Sequence, residues 1–450
     1  LSAALEIAER ALAVAPAGEA LAHVTAERSL TLRFARSRPT QSTAVDDLTV
    51  LVAVVRDGRV GTATTNLVTD DAFAACGRAA AAAAEAAART GGAGDYPGLP
   101  AGGPPRPHHG FDMRTAALDP GDAGRALTDA IAACEERGVE AHGTWSAGDV
   151  SLGLASRTGA SGADRVTDAF MKVTAITPGG RSGYAETTAV SVSAVDARAL
   201  ASRAVDKATL PGEPLRLPPG EYPVVLEADA VGDLLGWLGM TAFNGLAFAE
   251  DRSALCDRMG QRVAAARINL SDSPRFARTL PRAFDAEGVP KAPLPLIQDG
   301  VAHRVVHDTR SAALCGASTT GHALEPGGDP VGPLPTNLVL IGGGAADEAE
   351  LARPIERGIY VTRLWYTNAV RPKETLLTGV TRDGTFLIED GVVTRPIEDM
   401  RMTDSALGVF ERCEELGAQS RLVSEGEFYG RRFAFGAVCP PLRSVMRFTG

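Results

Sequence analysis

The side chains best suited to chemistry are few and scattered. Seven histidines occur, at His23, His108, His109, His142, His303, His307 and His322. A zinc-peptidase helix needs a His-Glu pair with a second His one turn on, so that two imidazoles face one ion and the carboxylate handles the water. None of the seven is followed by Glu. His303 and His307 do form an HxxxH, but on a stretch that alternates like a strand. There, positions i and i+4 share a face roughly 13 Å apart, too far for one zinc. Both read as surface or interface residues. Cys439, in FGAVCPPLR, has no His or cationic helix end near it in sequence and reads as a buried thiol. A metal site assembled in trans across a dimer from His303, His307 and Cys439 is the alternative. His108-His109 lies in a Pro/Gly stretch and reads as a solvated pair.

Other motifs fall short on spacing. Asn337 to Glu348 looks like strand, Gly-rich loop and helix, but Gly342-x-Gly344 is followed by Asp347 where a dinucleotide site wants a third small residue. The glycines read as a tight turn with positive φ. No Gly-Lys-Ser/Thr tripeptide exists for a phosphate loop. Ser161 and Ser318 are Gly-flanked without fitting G-x-S-x-G. Asp285, Glu287, Asp299 and Asp308 fall in turns and read as surface caps. The residues assign no catalytic group, no cofactor site and no metal ligand.

The elements that would position any site are clearer. An internal repeat is visible. HVTAERSLTLRFARS from His23 and HGTWSAGDVSLGLASRTG from His142 each precede an alternating segment, a Gly turn and an Ala-rich helix. Gly58-Arg59-x-Gly61 matches Gly180-Arg181-x-Gly183, and Ala63 matches Ala185. Each copy predicts strand, strand, turn, strand and helix, antiparallel and half-buried, with Asp71 and Asp196 as helix N-caps. A Pro/Gly loop from Gly91 to Pro107 separates the copies. A second break, Leu210 to Gly220, ends this half. Beyond it, Tyr222–Leu226 predicts a strand. Asp229–Phe243 predicts an Asp-capped helix with Val231, Leu234, Leu235 and Leu238 on one face. Short strands then dominate.

The fold expected is therefore α+β in two domains. Residues 1–210 form an N-terminal α+β domain with an internal duplication (about 20–90 and 139–208), and residues 221–450 form a β-rich C-terminal domain. The 450 residues carry 45 basic and 55 acidic side chains, a net charge of 45 − 55 = −10. An acidic chain without a basic run argues against nucleic acid and anionic membrane as main partners. Six unclustered cysteines suit a reducing, cytoplasmic compartment. The first residues, LSAALEIAER, pattern as an amphipathic helix rather than a secretory signal.

Several phrases in the second half resemble, in order, those of the TldD/PmbA family. They are FDAEGVPKAPLPLIQDGVAHRVVHDTRSA, PTNLVLIGGG and GIYVTRLWYTNAVRPKETLLTGVTRDGTFLIEDGVVTRPIEDMRMTD. The duplicated DGRVGTAT unit fits too. VGDLLGWLGMTAFNGLAFAEDRSALCDRMGQRV resembles the TldE/PmbA branch. The resemblance implies a dimerising two-domain cytoplasmic protein. In that family a TldD subunit carries zinc through an HExxxH helix plus a C-terminal Cys. Its TldE/PmbA partner completes a protease acting on unfolded or precursor peptides. Here the region where the metal helix falls, Glu227 to Asp251, has no His, and the family's G-D-x-S-x-G stands as Thr378-Gly379-Val380-Thr381-Arg382-Asp383-Gly384. The resemblance therefore implies a metal-free subunit, with zinc in a TldD-like partner. The alternative is a stand-alone homodimeric peptide-binding or scaffold protein.

Overall fold

The computed structural model describes residues 3–91, 94–424 and 430–450. The expectations that touch Leu1, Ser2, Gly92 and Ala93 lie outside the described residues. The first half runs α1 (Ala3–Ala13), β1 (Ala20–Ala35), β2 (Arg38–Arg56), β3 (Arg59–Thr65), α2 (Asp70–Gly91), α3 (Met113–Ala116), α4 (Pro120–Glu135), β4 (Glu140–Ser156), β5 (Ser161–Ile176), β6 (Ser182–Ala189) and α5 (Ala197–Ala208). The six strands make one sheet in the order β3-β2-β1-β4-β5-β6. The two copies of the repeat thus lie side by side and join at β1 and β4, antiparallel from Leu21↔Ser156 to Phe34↔Gly143.

The repeated glycines are explained by packing. A Cβ on Gly61 would collide with the Ala80 carbonyl of α2, and one on Gly183 with the Ala204 carbonyl of α5. Each Ala-rich helix lies on its sheet at the same step of the repeat, so both steps must lack a side chain. Each copy also begins with a helix, α1 or α4, that the sequence boundaries did not include. Asp196 caps α5 by accepting from Ala199 N. Asp71 does not cap α2. That helix starts at Asp70, and Thr69 Oγ1 accepts from Ala72 N at 3.3 Å.

The second half supplies β7 (Gly220–Leu226), α6 (Ala228–Thr241), α7 (Gly245–Ala249), β8 (Leu270–Asp272), β9 (Leu294–Gln298), β10 (Val301–Ala302), α8 (Thr309–Leu314) and β11 (Asn337–Leu340). It continues with β12 (Arg357–Arg371), β13 (Leu376–Glu389), β14 (Val392–Pro396), β15 (Arg401–Ser405), β16 (Glu415–Leu416), β17 (Arg421–Val423), β18 (Gly436–Cys439) and β19 (Leu442–Phe448). One sheet has the order β10-β9-β8-β11-β18-β17. In the other, β12-β7-β19-β15-β13 closes on itself, because β13 pairs back along β12. Closure removes the free edges that five open strands would leave. α6 buries Val231, Leu234, Leu235 and Leu238 in the largest core, beside Ile359, Val361 and Met446. Among the described residues no helix is long and apolar enough to cross a membrane.

Two local expectations are corrected. Gly342, Gly343 and Gly344 are absent from the positive-φ residues. They permit close approach instead: Gly343 N donates to the Gly417 carbonyl at 3.0 Å, and a Cβ on Gly343 would press on Leu416. α6 is not capped by Asp229. Glu227 holds the N-cap position, and Asp229 lies inside the first turn with its carboxylate engaged elsewhere.

Candidate functional site

The residues weighed for metal binding do not converge. β10 ends at Ala302, so the HxxxH segment is not a strand beyond it. His303 is exposed. His307 is buried before α8, its Nδ1 3.2 Å from Ser311 Oγ, and burial pushes its imidazole down. Cys439 is 0% exposed, and its Sγ donates to the Ala228 carbonyl at 3.4 Å. A thiol so enclosed cannot meet a partner's imidazoles, which removes the in-trans site. Among the described residues no three His, Cys, Asp or Glu side chains are grouped to hold a metal.

Burial also overturns several of the surface readings, while Asp299 and His109 are exposed as expected. His108 is not solvated: its side chain is enclosed and Nε2 lies 2.8 Å from Asp164 Oδ1. Glu287 is fully buried and accepts from Tyr96 Oη, Thr309 N, Thr309 Oγ1 and Gly327 N. It therefore ties the 94–99 loop to the second half. Asp285 accepts from Glu287 N, Val289 N and Ala323 N, and Asp308 caps α8 through Ser311 N. A cavity of about 40 Å³, lined by His23, Arg282, Asp285 and His322, lies beside this knot. These carboxylates serve the joint between the halves, each accepting from main-chain or side-chain donors there.

A second joint surrounds the start of α6. Lys207 of α5 reaches Glu227 at 2.6 Å, and Tyr360 Oη donates to the same carboxylate at 2.8 Å. Arg421 of β17 lies 2.5 Å from Asp229. Tyr184 Oη donates to Glu186 at 2.5 Å, under the Arg363 guanidinium 3.9 Å from the Tyr184 ring centre. Burial and the neighbouring Asp229 charge push Glu186 up to about 8. Burial likewise pushes the Lys207 ammonium down, against the pull of Glu227. A cleft of about 400 Å³ opens here between Arg203, Lys207, Glu227, Tyr360 and Arg421. The charges are spent on one another across the seam of β6, α5, α6 and β17.

A partly exposed surface lies along α6. Asp233, Gly236, Trp237 and Met240 follow one another along the side of the helix away from its fully buried stripe; Gly236 and Met240 are exposed, Met240 by 41%, while Trp237 is half-buried and packs against the core. Asp233 Oδ2 accepts from Thr367 Oγ1 at 2.6 Å, joining this face to the outer end of β12. There Trp365, Tyr366 and Val370 are exposed, Tyr366 by 78%. Tyr366 sits at a break in the β12–β13 register with a φ of 54°. A bulky aromatic in the left-handed region costs free energy, of the kind found where a side chain is aimed for use. Rings of this kind anchor polypeptide partners. By its alternation GIYVTRLWYT patterns as one of the short strands of the second half. Nothing in its alternation announces the break at Tyr366.

Comparison with known proteins now bears on this arrangement. Residues 219–447, just over half of the chain, match the PmbA/TldA metallopeptidase C-terminal domain, and residues 24–88 match domain 1 of the same family. The chain belongs to the TldD/PmbA family. A metalloprotease of Methanothermobacter thermautotrophicus is 24% identical over 206 residues, covering 46% of this chain and 44% of that one. The metalloprotease TldD homolog of Haemophilus influenzae is 26% identical over 227 residues, 49% of this chain and 46% of its own. The matches thus span under half the length of these curated relatives. The fold is similar throughout to TldE from Thermococcus kodakarensis, with a TM-score of 0.85 and 17% identity over 99% of both chains. The TldD/PmbA fold expected from the sequence is the one observed.

Proposed function

We propose that this chain is the metal-free, TldE/PmbA-like subunit of a cytoplasmic two-subunit peptidase of the TldD/TldE type, acting on unfolded or precursor peptides. The observation that carries the reading is the outward face of α6. It stands where the family resemblance expects a metal helix, and its residues there are Asp233, Gly236, the half-buried Trp237 and Met240. One carboxylate and no imidazole do not fit a zinc site. No hydrolytic step is therefore derived from this chain's residues. Zinc and its water would belong to a TldD-like partner. This chain would contribute enclosure and binding. The exposed rings of β12 supply apolar anchorage that does not depend on one substrate sequence.

The test is peptidase activity on an unfolded peptide, with elemental analysis. The purified chain alone should carry no stoichiometric zinc and cleave nothing. Activity should appear when a TldD-like subunit is added. Chelator-sensitive cleavage by the isolated chain overturns the reading. A stable homodimer that ignores added TldD-like subunit would favour the stand-alone binding protein.

A further inference from the structure

We infer that the cavity between the two halves, walled by His23, Arg282 and Arg431, is a binding site for a carboxylate carried on an apolar body. The inference goes beyond the proposed function and does not depend on it, since neither zinc nor a second subunit takes part.

His23 on β1 forms one wall, Arg282 in the segment between β8 and β9 a second, and Arg431 and Phe433 ahead of β18 a third. Four cations line the space, and Asp285 is the one acid. Two of the cations are matched from outside it. Arg432 is held by both oxygens of Asp168, and Lys291 shares Asp272 with His322, at 3.9 and 3.3 Å. Arg282 and Arg431 are left facing Asp285, an excess of one positive charge. Asp285 turns its oxygens to Glu287 N, Val289 N and Ala323 N.

Arg282 is 6% exposed, and its Nε has no hydrogen-bond partner among the described residues. The acids near it are engaged, Asp164 by His108 and Ala283 N, and Asp168 by Arg432. Arg431 reaches only Thr25 Oγ1, at 3.4 Å, and forms no ion pair among the described residues. His23 makes no hydrogen bond among them either. Enclosed cations that repel one another call for an anion, because water cannot cancel the charge.

Size and shape choose which anion. The cavity of about 40 Å³ holds about three water-sized groups. That suits the two oxygens and one carbon of a carboxylate and is tight for the four oxygens of a phosphate. Phe433 lies 4.1 Å from the Arg282 guanidinium and holds its plane, leaving the fork to meet a planar carboxylate. Arg431 is exposed and marks the mouth. There Phe433 and Phe435 stand 6.0 Å apart, Phe435 45% exposed, and offer rings to an apolar body.

Calorimetric titration of the full chain tests this, with 3-phenylpropionate as the probe. It should bind saturably, about tenfold tighter than acetate, while 3-phenylpropionamide and inorganic phosphate should not bind. Arg431→Gln, at an exposed position, should keep Tm and weaken binding about tenfold. Arg282→Gln should abolish binding, and Arg282→Lys should restore it only in part. Should the Arg282 variants fail to fold, Arg431→Gln still decides. Amide binding equal to acid binding overturns the inference. So does tighter binding of phosphate, or unchanged affinity in Arg431→Gln. Competition by a peptide ending in a free phenylalanine carboxylate, and not by its amidated form, would identify a polypeptide C-terminus as the source. A probe that neither peptide displaces would identify a small free acid. The peptidase assay above would be unaffected by any of these results.

Discussion

Asp229, in the first turn of α6, and Arg421, on β17, meet at 2.5 Å although 192 positions separate them in the chain (421 − 229). The pair holds the helix start against a strand of a different sheet, and both side chains are largely enclosed. Arg421→Ala would strand the Asp229 carboxylate in the seam. The expected cost is about 3 kcal/mol of unfolding free energy, read from denaturant midpoints. Arg421→Ala combined with Asp229→Ala should cost less than the two changes added separately.

The neighbouring Glu186 makes stability depend on pH. Its folded value, about 8, lies above the ordinary carboxylate value, so the folded state holds a proton that the unfolded chain releases earlier. That stabilisation is complete below the unfolded value, about 4.3, and is lost as pH rises towards about 8. The Tm difference between the wild type and Glu186→Gln should therefore shift against the wild type between about pH 4.5 and 8 and level off above. Equal slopes for the two proteins would contradict this.

His23 acts in the opposite direction. Burial, and then the charges of Arg431 and Arg282, push its imidazole down to about 3. The unfolded histidine takes up a proton near 6.5 while the folded one refuses it. Stability present above pH 6.5 should fall as the solution is acidified towards pH 3. His23→Gln should reduce that part of the acid loss, measured by thermal unfolding.

The repeated glycines give a paired prediction. Gly61→Ala and Gly183→Ala should each destabilise by about 1–3 kcal/mol, because a new Cβ must push a helix off the sheet. Gly138→Ala, where a Cβ meets no atom within 4 Å but φ is +68°, should cost only the backbone strain, about 1 kcal/mol. Chemical denaturation of the three variants would separate packing from backbone effects.

Trp365 and Tyr366 should matter for binding and not for folding. Replacing both with Ala should leave Tm nearly unchanged, since neither fills a core. Affinity for a TldD-like subunit or an unfolded peptide should fall about tenfold or more. Tyr366→Gly alone should relieve the positive φ and raise Tm slightly. Unchanged binding in the double variant would remove this surface from consideration.

Much of the fold was legible in the chain, and the reason differs by element. The duplication showed itself because both copies solve one packing problem, seen in Gly61 and Gly183, with the same residue. Alternation and Ala-rich runs marked β1 to β6, α2 and α5 because burial on one face imposes a period. The leading helices α1 and α4 were not joined to the repeat, since their sequences share no comparable constraint. Asp285, Glu287 and His108 pattern as surface groups because turns and Pro/Gly stretches are usually exposed. Their partners, Tyr96, Thr309, Ala323 and Asp164, lie from tens to about two hundred positions away.

By itself the sequence determined the family, the repeat and the lack of any His-Glu pair, because motifs and local periods are carried by neighbouring residues. Only the tertiary structure decided that Cys439 is sealed in the core, and that Asp229 belongs to Arg421 rather than to a helix cap. Burial and long-range pairing follow from which elements the chain brings together, and no stretch of local sequence encodes that alone.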